Sequence, residues 1–271
     1  MLRSADSTPP TVTPLTPART QARWRAVLRG VEQWLLPAEC LLCQSPVPAR
    51  EHDALVCGLC RARWRPLPEP LCARCGEPVP PADHTARGTE HSAAVPCRIC
   101  AEWPPTLARV RSAVRLEGRA RDVVHQLKYH GWWRAAEAMA LAMRHLEPLT
   151  GQLCLIPVPL APRRERDRGY NQSERLAAAL GALSGHPVRT DLLRRVRETS
   201  TQTALTPEER RANVVGAFEA AADVARAARE HTFVVVDDVF TTGATLLAAA
   251  EALARAGATR IEGVTFGRAA G

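Results

Sequence analysis

Lysine is nearly missing from this chain: of its 36 basic residues only Lys128 is not an arginine. A skew of that size reads as genome composition more than recognition chemistry, and it singles out the one position where a compact ammonium stands in place of a guanidinium. Long apolar runs are missing as well, none reaching the ~18 residues that mark a membrane-spanning helix. The opening Met1 to Thr20, rich in Pro and Thr, has neither the apolar stretch nor the small-residue cleavage site of a secretory signal, and is expected to be a floppy tail. No GxxxxGKS or GxxxxGKT string occurs, so an ATP-driven motor is not indicated. Aromatic residues make up 4% of the chain. Few of them stand beside the basic runs, so base-stacking recognition has little support in the order of residues. No side chain is an obvious catalytic base.

What is present divides the chain in two. With 271 residues, 46% of them hydrophobic, there is material for one full domain and a smaller one. A formal charge of +8 points to an anionic partner: nucleic acid, a phosphorylated small molecule or an acidic protein surface. In the tail 1–36, Trp24, Leu28, Val31, Trp34 and Leu35 recur at helical spacing and predict a short amphipathic helix. From Pro37 to Pro105 the sequence is crowded with Cys, Pro and Arg, which predicts a small module of turns and short hairpins over 37–105.

That module carries eight of the nine cysteines in four CxxC pairs: Cys40/Cys43, Cys57/Cys60, Cys72/Cys75 and Cys97/Cys100. In a chain without secretory features such pairs point to metal rather than disulfides, and to the cytoplasm. Eight thiolates suffice for two closed tetrahedral zinc sites, structural because no coordination position stays open. Sequential pairing is the simplest. The 13 and 21 residues between knuckles lie just outside the common ribbon range, so a crossed pairing stays open. Redox-active CxxC is the competing reading, and four copies without a thioredoxin-like βαβ context argue against it. His84 and His91 are expected at the surface, and Cys154 is expected in the core.

Beyond the module the texture changes. Arg109 to Leu116 alternates as a strand does, and Ala120 to Tyr129 and then about Trp133 to Leu146 follow as helices. Leu153 to Val158 is a buried-strand run, an arginine-laden loop is expected over Ala161 to Gly169, and Asn171 is placed to cap a helix ending near Leu183. Arg194 to Asn213, polar and without period, predicts a long mobile loop holding Gln202, Arg210, Arg211 and Asn213, able to close over a ligand. Thr232 to Val236 then predicts a strand, Asp237 to Gly243 a turn, Ala244 to Ala256 a helix and Ile261 to Phe266 a last strand. Alternating strands and helices over 106–271 imply a parallel α/β sheet.

The segment Val234 to Thr245, VVVDDVFTTGAT, carries the most chemistry. A buried strand delivers two adjacent acids to its C-terminal end, where open α/β sheets bind ligands. Neighbouring strand residues point to opposite faces, so Asp237 and Asp238 act together only if the backbone turns between them. The threonines and Gly243 then supply hydroxyls and amides at a helix N-terminus, a setting that suits phosphate. The string resembles the phosphoribosyl-pyrophosphate fingerprint of type I phosphoribosyltransferases. The resemblance implies that Asp237 and Asp238 engage the ribose 2′- and 3′-hydroxyls while Thr241, Thr242, Gly243, Ala244 and Thr245 wrap the 5′-phosphate. Cleaving the anomeric bond leaves positive charge on the sugar and an anionic leaving group, which calls for magnesium and basic groups. Arg163, Arg164, Arg166 and Arg168 are candidates for the basic groups, and Asp237, Asp238, Lys128 and Arg164 are the expected catalytic residues.

The four knuckles, LKYHG at Leu127 to Gly131, PVPL at Pro157 to Leu160, RRERDRGYNQ at Arg163 to Gln172, TQTALTPEERRANV at Thr201 to Val214 and VVVDDVFTTGAT together resemble the ComF family, the ComFC/GntX group, over about Leu36 to Arg268. The resemblance implies a type I phosphoribosyltransferase-like parallel sheet flanked by helices behind an N-terminal double zinc ribbon. It also implies two structural zinc ions, magnesium and phosphoribosyl pyrophosphate. For context it implies natural transformation, on the cytoplasmic side of the DNA-uptake machinery near the ComFA helicase and single-stranded-DNA-handling proteins. The alternative is an adaptor gripping single-stranded DNA through zinc ribbons and arginines, with a non-catalytic phosphoribosyl site.

Overall fold

Four strands of one parallel sheet organise the C-terminal part of the chain in a computed structural model, which describes residues 39–47, 55–79, 97–198 and 207–269. The tail with its expected helix, His84, His91 and Gln202 lie outside those residues, as do the side chains of Arg210 and Arg211. The strands are β1 (Arg109–Arg115), β2 (Leu153–Pro157), β5 (Thr232–Phe240) and β6 (Ile261–Arg268), in the order β1-β6-β5-β2. β2 and β6 are buried along their whole length, as strands covered on both faces are. The outer edge of β2 is met by the segment around Val188, where Leu155 N donates to Pro187 O and Arg189 N to Leu155 O, both at 2.9 Å.

Helices cover both faces. On one, Val123 and Leu127 of α2 (Gly118–Tyr129), Met139 and Met143 of α3 (Ala135–Met143) and Leu176 and Leu180 of α5 (Gln172–Ser184) pack on Val234, Val236, Val264 and Phe266. On the other, Leu246, Ala250 and Leu253 of α8 (Ala244–Arg255) pack on Val110, Phe233, Val235 and Ile261, where Cys154 is also buried. A small antiparallel pair, β3 (Leu193–Arg195) with β4 (Phe218–Ala220), lies beside α8, followed by the short α7 (Val224–Ala227). Asn171 caps α5 as its position predicts: its Oδ1 accepts from Ser173 N and its Nδ2 donates to Val158 O, each at 3.0 Å. The cap therefore ties the start of α5 to the exit of β2.

Three expectations need correction. The arginine segment after β2 is a helix, α4 (Pro162–Arg168), begun by a proline in the first turn and ended at Gly169, which has a φ of 83°; proline's fixed φ suits a first turn. The stretch expected as one long loop holds β3 and a helix, α6 (Pro207–Val214). The turn expected from Asp237 begins later, because β5 continues in register with β6 through Val239↔Gly267 and Phe240↔Arg268. A smaller difference is the second helix, which spans only Ala135–Met143.

The cysteine modules repeat one pattern. Cys40 to Cys43 is followed by Gln44 at φ 59°, and Cys72 to Cys75 by Gly76 at φ 70°. In each, the amide of that residue donates to the carbonyl of the first cysteine, Gln44 N to Cys40 O at 2.8 Å and Gly76 N to Cys72 O at 2.9 Å. Short antiparallel bridges, Glu39↔Pro46 and Leu71↔Pro78, close the two turns. The partner knuckles, Cys57 to Cys60 with α1 (Gly58–Ala62) and Cys97 to Cys100, are each followed by a buried tryptophan, Trp64 and Trp103. Trp64 meets Phe266 edge-on, with ring centroids 5.0 Å apart, and Trp103 meets Phe240 at 6.0 Å. The first module thus joins the core under α2, α3 and α5, and the second joins the core under α8.

Candidate functional site

The crevice at the C-terminal ends of β2 and β5 is where an open parallel sheet binds ligands. A cleft of about 330 Å³ opens there. Its lining gathers Lys128 and Tyr129 from the end of α2, Val158 to Leu160 after β2, Arg164 and Arg168 of α4, Gln172 of α5 and Arg195 of β3. Asp237, Asp238, Val239, Thr241 and Thr245 complete it.

Both acids reach this cleft although β5 does not turn between them. Along β5, Phe233 and Val235 belong to one core and Val234 and Val236 to the other, yet Val239 packs with the second group and Phe240 with the first. The alternation of faces therefore slips by one residue across Asp237 and Asp238, which lets adjacent acids face one cavity where a regular pleat would separate them. Asp237 Oδ1 accepts from Ser173 Oγ at 2.8 Å and from the amide of Asp238 at 2.9 Å. Asp238 is paired with Lys128, Nζ to Oδ2 at 2.6 Å, and takes a longer contact of 3.5 Å from Gln172 Nε2.

Electrostatics follow from that crowding. Burial and the neighbouring Asp238 carboxylate push the Asp237 carboxyl up to about 7, against the opposing pull of Lys128. Burial by itself would lower Lys128, but the Asp238 carboxylate overrides it and holds the ammonium above its ordinary value. Burial, then the adjacent Arg164, depress Arg195. Four cations and two carboxylates line the cleft, so it favours an anion that also carries hydroxyls able to donate to the acids.

Of the residues expected here, Asp237, Asp238, Lys128, Arg164, Thr241 and Thr245 line the cleft together. Arg168 joins Arg164 because positions four apart share a face of α4, whereas Arg163 and Arg166 do not line the cleft. Thr242, Gly243 and Ala244 form the turn behind it. Thr242 Oγ1 accepts from Ala244 N at 3.4 Å, and the helix itself leaves further first-turn amides without intrahelical partners. Gly243 sits at φ 79°, and a Cβ there would lie 2.7 Å from the Trp103 ring, so glycine is required on both counts. Arg195, Gln172 and Trp103 were not legible as site residues. Arg195 comes from a stretch read as loop, and Trp103 reaches Gly243 only through the fold.

The cysteines settle into two quartets, Cys40, Cys43, Cys57 and Cys60, and Cys72, Cys75, Cys97 and Cys100, with the ligand atoms of each within 4.8 Å of one another. Sequential pairing holds and the crossed arrangement does not. Sulfur separations of 3.8 Å for Cys43 to Cys57, 3.6 Å for Cys72 to Cys100 and 3.5 Å for Cys75 to Cys97 match the ~3.8 Å edge of a tetrahedron with Zn–S of about 2.3 Å. They are far from the ~2.05 Å of a disulfide. The residues present therefore fit zinc at both sites. Burial pushes the thiols of Cys57, Cys60, Cys75 and Cys100 up, Cys100 to about 11, so holding these groups as thiolates needs a cation among them.

The second quartet is bonded into the sheet beside the cleft. Buried Arg268, at the end of β6, donates to Glu77 at 2.6 Å and to Cys75 O at 2.8 Å, and lies 4.0 Å above the Phe240 ring. Arg74 fans its donors over the carbonyls of Cys100, Trp103, Pro104 and Leu107.

These features define a phosphoribosyltransferase-fold protein carrying a double zinc ribbon. A double zinc ribbon domain model matches residues 31–102 and a phosphoribosyl transferase domain model matches residues 168–269. The DNA utilization protein YhgH of Escherichia coli O157:H7 is 32% identical over 234 residues, covering 84% of this chain and 95% of its own length. Competence protein ComFC of Bacillus subtilis (strain 168) is 25% identical over 239 residues, covering 80% and 89%. Competence protein F of Haemophilus influenzae is 35% identical over 108 residues, covering 40% and 47%. The chain belongs to the ComF family. Among the described residues no helix is long and apolar enough to cross a membrane.

Proposed function

We propose that this cleft holds phosphoribosyl pyrophosphate with magnesium and that the chain acts as a phosphoribosyltransferase serving DNA uptake. The observation that carries the reading is convergence: two strand-exit acids, a threonine-lined helix start and four cations meet in one cleft. In this reading Asp237 and Asp238 accept from the ribose hydroxyls. Thr241, Thr245 and the amides of the turn take the 5′-phosphate, favoured by the dipole of α8. Lys128, Arg164, Arg168 and Arg195 face the pyrophosphate.

Transfer breaks the bond from the anomeric carbon to pyrophosphate, and the electron pair leaves with pyrophosphate. The carboxylates then sit beside a ring that gains positive charge, and the arginines beside a leaving group that gains negative charge. Magnesium, for which Asp237 and Asp238 are the carboxylates of the cleft, supplies further countercharge to the leaving group when bound. Lys128 holds the Asp238 side chain in place through their 2.6 Å ion pair, and an acceptor that is already nucleophilic needs no general base. The competence and DNA-utilization names of the relatives support a role in DNA uptake, which we extend to a place on the cytoplasmic side of the uptake machinery, with single-stranded DNA and a ComFA-type helicase as partners.

Isothermal titration of the zinc-loaded full chain with magnesium and phosphoribosyl pyrophosphate tests the reading. Saturable heat is expected from wild type and none from Asp237→Ala. Absence of heat in wild type, or equal heat in the variant, defeats it.

A further inference from the structure

Seven of the ten aromatic side chains among the described residues are buried: Trp64, Trp103, Tyr170, Phe218, Phe233, Phe240 and Phe266. The other three stand out on the surface within five consecutive residues. Tyr129 is 66% exposed, Trp132 45% and Trp133 43%, at the end of α2 and in the turn that follows. A chain with so few aromatics exposes three of them to water within five residues of one turn, and exposed apolar groups gathered in this way mark binding surfaces.

Their neighbours define the chemistry. The Arg168 guanidinium lies 5.8 Å from the Tyr129 ring centroid, and that of Arg175 lies 4.8 Å from the Trp133 centroid. His125 sits 4.9 Å from Tyr129 and 5.0 Å from His130. Glu137, the acid on the adjoining helix α3, is held by Arg134 at 3.2 Å. In sequence these aromatics stand apart from the arginine run. The fold brings α4 and the first turn of α5 across to them, a proximity that the order of residues does not display. Flat π surfaces interleaved with guanidinium groups are what bind bases and phosphates alternately along a strand. Tyr129 and Arg168 also line the cleft, so the shelf begins where the cleft ends.

We infer that the Tyr129, Trp132 and Trp133 shelf, with Arg168 and Arg175, is a stacking platform for single-stranded nucleic acid. A strand fits better than a free base, because three aromatics and two arginines present more than one stacking position together with countercharge for phosphates between bases. The chain's own tail is a poor occupant: Arg19, Arg23, Arg25 and Arg29 would meet arginines. A duplex is a poor occupant too, since its base faces are already stacked. The inference deepens the proposed partnership with single-stranded DNA by giving it a surface, and it does not rest on the phosphoribosyl reading.

The test is fluorescence anisotropy of the zinc-loaded full chain with three labelled probes: a single strand of thymidylates, an abasic strand of equal length and charge, and a duplex. The thymidylate strand should bind at least about tenfold more tightly than the abasic strand or the duplex, with quenching of tryptophan emission. Trp132→Ala/Trp133→Ala should lose that advantage, bind the abasic strand as wild type does, and keep its zinc content and its heat with magnesium and phosphoribosyl pyrophosphate. Trp133→Phe should retain most of the preference. Equal affinity of wild type for thymidylate and abasic strands overturns the inference, and that comparison needs no variant to fold. Saturation by free thymidine at similar affinity overturns it as well, since one base would then suffice. Loss of phosphoribosyl pyrophosphate binding with strand binding intact would defeat the earlier reading and leave this one standing.

Discussion

The two zinc modules share a knuckle turn, a positive-φ residue after the second cysteine, a short bridge and a trailing tryptophan, yet they meet different parts of the molecule. Trp64 of the first packs on Phe266, deep under α2, α3 and α5, and Arg119 of α2 donates to Leu42 O at 2.6 Å. Trp103 of the second packs on Phe240, the last residue of β5, and closes against Gly243, the residue before α8. Arg268 adds a second tie, joining Glu77 and Cys75 O to the ring of Phe240. One cysteine quartet therefore packs into a core, and the other packs against the turn proposed to hold a phosphate. Equivalent sequence repeats need not have equivalent consequences, because what matters is the surface each one covers.

That difference can be broken most forcefully at the metal ligands. Cys43→Ser and Cys75→Ser should each lower the zinc content from about two per chain to about one. Affinity for phosphoribosyl pyrophosphate should fall by two orders of magnitude or more, roughly, in Cys75→Ser and by less than about fivefold in Cys43→Ser, by titration calorimetry. Equal losses would mean that both modules act only through global stability. A finer cut is the tryptophan pair. Removing either buried ring should cost about 3–5 kcal/mol in denaturant unfolding. Only Trp103→Ala should also weaken the ligand, by about tenfold, at temperatures where both variants remain folded.

The smallest effect concerns the acids. A carboxyl whose pKa is raised in the fold favours folding while protonated. The contribution of Asp237 is thus complete below about pH 4 and is lost as the pH rises through about 7. In the ligand-free protein Asp237→Asn should therefore gain about 1 kcal/mol, or ~2–4 °C in Tm, at pH 8, distinctly less at pH 5, and nothing below about pH 4. The same variant should lose the ligand, so stability and binding would move in opposite directions at one residue. A Tm gain that is the same at every pH would contradict the assignment.

Much of this was legible in the residues, for identifiable reasons. Buried parallel strands announce themselves as short apolar runs, which is why β2 and β5 stood out, and the paired CxxC knuckles announce metal. The cap at Asn171 is a local rule obeyed locally. α4 escaped because it buries none of its residues, so no apolar period marks it, and with it went the i,i+4 pairing of Arg164 and Arg168. Arg195 escaped because a three-residue strand carries too little pattern. The slip of faces across Asp237 and Asp238 is set by packing on both sides of the sheet, and the contact of Trp103 with Gly243 joins residues 140 positions apart. Neither has a signature in the order of residues.

The most direct measurement is a crystal structure of the zinc-loaded chain with magnesium and phosphoribosyl pyrophosphate bound. The account predicts ribose hydroxyls against Asp237 and Asp238, with the 5′-phosphate on the turn from Thr241 to Thr245. A phosphate on the opposite edge of the sheet, or a ribose that touches neither acid, would contradict it.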